Sequence, residues 1–175
     1  MNRNFVLSDM INESSIKEVL TMILEINESD QEEENKLKDF KREPIHLFLN
    51  TSGGNIYDGL ALVDIIIASK TTVYTYCIGK CLSMGLIIFM AGHKRFIGHN
   101  ATIMFHGASF GIDSTIPNIE ETLEEVKRLQ TLLTDFILQK SKLKRQELDI
   151  ILESRADWYL AAKDAIKKGI ADSYL

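Results

Sequence analysis

The sequence reads as an α/β protein with a largely parallel sheet. A short apolar run rich in strand formers, a glycine-bearing turn and a helix-spaced apolar segment follow one another twice, and a third such run closes on "FHG". That alternation implies parallel strands, because a parallel connection needs a crossover long enough to hold a helix. At 175 residues, with 45% apolar and 26% charged residues, the chain is long enough to bury one core and is read as a single domain over 1–175.

In chain order, "MNRNFVLSDM" has no long apolar stretch before a small-residue cleavage site, so no signal peptide is expected. "SSIKEVLTMILEI" predicts a helix with Ser15 as its cap, Glu18 reaching back, and Ile16, Val19, Leu20, Ile23 and Ile26 on one face. The charged "ESDQEEENKLKDFKRE" is a solvated loop or helix end. "PIHLFLN" is a buried strand stopped by "TSGGN", and Ile56, Leu60, Val63 and Ile67 give the next segment helical spacing. "TTVYTYCIG" is a strand expected to stop at Gly79, and "SMGLIIFMAG", apolar all round, is a buried helix. "RFIGHN" and "ATIMFHG" are strands or a short hairpin. A long helix follows, with Pro117 in its first turn and a stripe of Ile119, Leu123, Val126, Leu133 and Ile137. At ~1.5 Å per residue it runs about 35 Å, long enough to project or to pack on a neighbour. "RQELDIILES" and "AAKDAIKKG" predict two short helices, Gly169 ending the second, before a last strand in "IADSYL".

Composition excludes several function classes. The net charge of −5, with no Lys/Arg cluster interleaved with aromatics, argues against nucleic acid. The longest nearly apolar run, 82–92, is too short to span a bilayer, so no membrane association is expected. Cys77 and Cys81 stand three residues apart with no second pair, which suits buried thiols in a reducing cytoplasm rather than a zinc site. No metal or cofactor is expected.

In a parallel sheet, chemistry gathers at the carboxyl ends of the strands, and "TSGG", "GKCLSMG" and "FHG" all lie at such ends. Ser83 sits at a strand–turn–helix junction flanked by Gly79 and Gly85. It reads either as a helix cap or as a nucleophile beside the free amides of a helix N-terminus. His106 ends its strand at the same edge, and imidazole is the side chain suited to act as a general base near neutral pH. His46 and His93 suit structural roles. A third group should orient the imidazole; Asp157 stands out because its aromatic and apolar neighbours suggest partial burial, with Asp164 and Asp172 as rivals. "TSGGN" lacks the lysine of a phosphate loop and the spacing of a dinucleotide fingerprint, yet can present backbone N–H groups to a carbonyl oxygen.

Five motifs in order resemble the proteolytic subunit of the Clp protease (the ClpP family). "FVLSDMINESSIKEVLTMILEIN" resembles its opening strand and helix, and "LFLNTSGGNIYDGLALVDII" its strand, glycine turn and helix. "CIGKCLSMG" is similar to its nucleophile segment, "ATIMFHGAS" to its histidine strand, and "RADWYLAAKDAIKKGIADSYL" to its ending. The resemblance implies a ClpP/crotonase-type spiral of strand-strand-helix units with a protruding handle helix, the handle segment spanning about 107–140. It implies a serine endopeptidase with Ser83 as nucleophile, His106 as base and Asp157 as orienting acid. It implies an oxyanion hole from the Gly54 and Met84 amides, and substrate contacts at Gly53, Gly107, Ala108 and Ser109. The implied partners are peptide substrates, other copies in heptameric rings stacked as a tetradecamer, and an AAA+ ATPase unfoldase.

The sequence departs from the family pattern at Ser52 (usually proline), at Leu82 (usually small), after His106, and at Ala156, where an arginine helps join the rings. The chain opens almost at the first strand, so the axial loop that helps dock the ATPase is expected to be nearly absent. Two other classes carry different expectations. A non-catalytic ring subunit would support an active paralogue. A crotonase-type acyl-CoA enzyme would share the two-amide oxyanion hole but needs no Ser/His/Asp set.

Overall fold

A computed structural model describes residues 2–108 and 116–175. Its elements are β1 (Asn4–Leu7), α1 (Glu13–Lys36), β2 (Ile45–Thr51), α2 (Ile56–Ala68), β3 (Val73–Leu82), α3 (Met84–Ala91), β4 (Lys94–Ile97), β5 (Thr102–Phe105), α4 (Ile116–Gln139), α5 (Arg145–Ser154), β6 (Trp158–Ala161), α6 (Ala162–Lys167) and β7 (Ser173–Tyr174). The mixed α/β architecture expected from the alternation is present, with the strands ordered β1-β2-β3-β4-β7 and β5 joining through β3. Every pairing is parallel except β5 with β6.

Strand β2 alternates buried and half-buried residues, so Ile45, Leu47 and Leu49 face the helices while His46 and Phe48 face outward. On that outward face Tyr76 stacks between Phe48 and Phe96. Helix α3 is the centre of the molecule. All eight of its residues are buried, as expected of a helix without a polar face. Two glycines admit it. A Cβ on Gly59 would lie 2.2 Å from the Met84 Cγ, and one on Gly85 would lie 2.6 Å from the Thr51 Cγ2.

Four local expectations change. Asn12, not Ser15, caps α1; Ser15 occupies the third helical position and closes the capping box from there. The charged stretch is helical as far as Lys36, and within it Asp30 is buried. The buried face of α2 is Gly59, Leu62, Val63 and Ile66, and Ile67 is exposed, because the glycine side packs on α3. β4 and β5 form no hairpin with each other; both lie parallel to β3.

The largest change concerns β3, which runs past Gly79 to Leu82. Leu49 pairs with Cys77 and Thr51 with Cys81, so two steps of β2 oppose four of β3. This bulge divides the strand. Tyr74–Cys77 pair with β4, whereas Lys80–Leu82 pair with β5. Gly79 does not end the strand; it gives room to the Asn50 side chain, whose Oδ1 would lie 2.6 Å from a Cβ there. The result delivers the end of β3 beside the end of β5.

Candidate active site

Ser83 is the single residue between β3 and α3. Its backbone lies at φ 52°, ψ −122°, a conformation that L-residues rarely adopt. The turn is pinned by Ser83 N–H donating to the Met104 carbonyl at 2.8 Å and Leu86 N–H donating to the Ser83 carbonyl at 3.0 Å. The side chain makes no capping bond to α3. Its Oγ lies instead 2.8 Å from Nε2 of His106. With the ring proton on Nδ1, Nε2 accepts from the serine hydroxyl, the arrangement a base needs to take that proton.

His106 follows β5 directly and is half-buried. The β5–β6 ladder ends with Phe105 paired to Trp158, and His106 and Asp157 are the next residue along each chain beyond that pair. The Asp157 carboxylate is exposed, not half-buried as its neighbours suggested. Its one hydrogen bond among the described residues comes from the Tyr159 hydroxyl at 3.5 Å. Strand alternation is the cause: Leu160 turns inward, so Tyr159 and Asp157 fall on the outer side. The rival Asp172 holds Arg95 through both carboxylate oxygens and is not near this edge by pairing; Asp164 lies in the first turn of α6.

The "TSGGN" turn is pressed against the nucleophile. A Cβ on Gly53 would lie 2.7 Å from the Leu82 carbonyl oxygen, 2.8 Å from the Ser83 Cβ and 3.0 Å from the Met84 nitrogen. Gly53 and Gly54 have φ of 92° and 150°, which glycine adopts freely. Buried Ile11 clamps the turn. Its N–H donates to the Gly53 carbonyl and its carbonyl accepts from Asn55 N–H, both at 2.8 Å, straddling Gly54. The Gly53 amide is committed to the Thr51 hydroxyl at 3.1 Å. The Gly54 and Met84 amides have no backbone or side-chain acceptor among the described residues. The Met84 amide adjoins Ser83 and the Gly54 amide belongs to the turn pressed against it; free backbone donors of this kind can stabilise an oxyanion.

Of the remaining expected contacts, Gly107 and Ala108 follow His106. The Ala108 amide is already taken by Oε1 of Gln130 at 2.6 Å. Ser109 lies outside the described residues. Sequence reading missed Gln130, a half-buried residue on the inward face of α4, beside buried Leu133, Thr134 and Ile137, with no motif around it.

The other three histidines are engaged elsewhere: His46 Nδ1 with the Tyr76 hydroxyl at 2.7 Å, His93 Nδ1 with the Val73 amide at 3.0 Å, and His99 stacked on Tyr174. Cys77 and Cys81 are buried and free; burial pushes the Cys81 thiol up, so it stays neutral. No cluster of His, Cys, Asp and Glu among the described residues could hold a metal, and none of their helices is long and apolar enough to cross a membrane.

A family model described as Clp protease matches residues 1–175. The chain is 31% identical over 175 residues to the ATP-dependent Clp protease proteolytic subunit 1 of Borreliella burgdorferi, covering 99% of this chain and 84% of that protein. It is 30% identical to the corresponding subunit of Borreliella afzelii, covering 99% and 83%. It is 32% identical over 133 residues to that of Deinococcus radiodurans, an alignment spanning 75% of this chain and 64% of that protein. The chain belongs to the Clp protease family.

Proposed function

We propose that the chain is a serine endopeptidase acting on short or unfolded peptides. The observation that carries this reading is the 2.8 Å contact between Ser83 Oγ and His106 Nε2, made by a serine held in a strained turn. Ser83 Oγ attacks the peptide carbonyl as His106 Nε2 takes its proton. The amides of Gly54 and Met84 receive the charge that develops on the carbonyl oxygen. His106 then protonates the leaving amine, and water, activated by the same imidazole, releases the acyl group. Asp157 orients Nδ1 after its side chain turns from Tyr159 toward the histidine. Gly53, Gly107 and Ala108 line the peptide.

Family membership supports assembly into heptameric rings, with α4 and the segment before it (107–140) as the handle, and work alongside an ATPase. One observation favours a second reading, a non-catalytic ring subunit: the Asp157 carboxylate bonds Tyr159 rather than His106. A fluorophosphonate probe separates the two. The proposal expects stoichiometric labelling of Ser83 in assembled protein, located by peptide mass spectrometry, and loss of labelling in Ser83→Ala. Intact rings seen by electron microscopy that neither label nor turn over a fluorogenic peptide would sink it and leave the second reading.

A further inference from the structure

We infer that Gln130, on α4, is a positioning residue for His106; the inference rests on the reading of Ser83 and His106 as nucleophile and base. His106 is followed by Gly107, whose backbone is the freest in the chain's vocabulary. Something beyond the glycine must therefore hold the histidine's trailing side. Upstream, the backbone is fixed by β5, where buried Phe105 pairs with Trp158. Downstream, the first fixed point is the Ala108 N–H, donated to Gln130 Oε1 at 2.6 Å.

The Gln130 amide is itself oriented. Its Nε2 donates to the Thr134 Oγ1 at 3.1 Å, and that hydroxyl donates to the Gln130 carbonyl at 2.7 Å. Thr134 is 2% exposed, so this small network is anchored in the core. A flipped amide would set an NH2 group against the Ala108 N–H, so the geometry admits one orientation only. Leu152 of α5 closes the other side, 3.6 Å from where a Gly107 Cβ would stand. The imidazole thus hangs between a strand end and a side-chain clamp. Loosening either end moves Nε2 against Ser83 Oγ, and a displacement of about 1 Å at a reacting pair costs about a hundredfold in rate.

Two substitutions test this in the full-length assembled protein. Gln130→Met keeps the length and removes the acceptor. Gln130→Glu keeps an oxygen toward Ala108 and lets the Thr134 hydroxyl donate to the other. In fluorogenic peptide hydrolysis, Gln130→Met should lower kcat by about tenfold to a hundredfold with KM little changed, and Gln130→Glu should recover most of the loss. In a His106→Ala background, Gln130→Met should change the residual labelling rate at Ser83 no further, since it acts through the imidazole. Hydrogen exchange reads the clamp without any activity: the Ala108 amide should be protected in the wild type and lose protection in Gln130→Met. Wild-type kcat in Gln130→Met, an equal loss in the His106→Ala background, or unchanged exchange at Ala108 overturns the inference. A wild type that shows the protected Ala108 amide but no label on Ser83 overturns the catalytic reading instead.

Discussion

Ser83 is held in an unusual backbone conformation with its hydroxyl turned to His106. A non-glycine residue in such a backbone region stores on the order of 1–3 kcal/mol, and here the hydroxyl gives up the capping bond that would offset it. Ser83→Gly should relieve that strain, net of about 0.5–1 kcal/mol for the extra freedom of an unfolded glycine. Ser83→Ala keeps its Cβ and the strain. Urea unfolding should therefore rank Ser83→Gly above Ser83→Ala by about 1 kcal/mol; the reverse order would refute the strain. At this scale the sequence was readable where a residue ends an element. Ser83 and His106 were placed at one sheet edge by strand ends alone, and they meet at 2.8 Å. Burial was not readable. Trp158, Tyr159 and Leu160 look apolar as a group, but in a strand they alternate, and Asp157 falls on the wet side. Gln130 was silent because its role depends on a backbone amide contributed from 22 positions away.

Among elements, the decisive joint is the "TSGGN" turn against the β3–α3 corner. Gly53→Ala would put a methyl group within 2.8 Å of the Ser83 Cβ, at a φ of 92° that alanine resists. It should lower stability by about 1–3 kcal/mol and displace Met84 N–H, so peptide turnover should fall further than the folded fraction does. Activity normalised to folded protein from a thermal melt checks this; a loss no greater than that of stability would count against the turn's role at the oxyanion. The alternation of strands and helices was legible because hydrophobic period survives in the sequence. Element ends and faces were harder. Gly79 reads as a stop, yet a bulge uses it to pass Asn50 within contact. The face of α2 was displaced because a glycine, invisible to hydrophobic counting, makes the closest approach to α3. β6 was missed since its four residues carry only one buried side chain.

On the scale of the whole molecule, Asp30 joins three distant parts of the chain. It accepts from Arg3 ahead of β1 and from the Thr71 hydroxyl ahead of β3, at 3.0 and 2.7 Å. Burial alone would raise its carboxyl, but the bonds from Arg3 and Thr71 and the charges of Arg3 and Arg42 outweigh it and hold it below its ordinary value of 3.8. A carboxylate lowered on folding adds stability that is complete above its unfolded value, about pH 4, and is lost as pH falls through the folded one. The gap in urea midpoint between wild type and Asp30→Asn should therefore hold steady near neutrality and shrink below about pH 4; a constant gap would remove Asp30 from the acid response. A related long connection runs through Ile11, whose N–H and carbonyl grip Gly53 and Asn55 on either side of Gly54. The stretch between β1 and α1 consequently holds the glycine turn that is pressed against Ser83. Under the proposed serine-peptidase reading, a lesion there, remote in sequence from Ser83, should slow peptide turnover in a fluorogenic assay before a thermal melt registers unfolding.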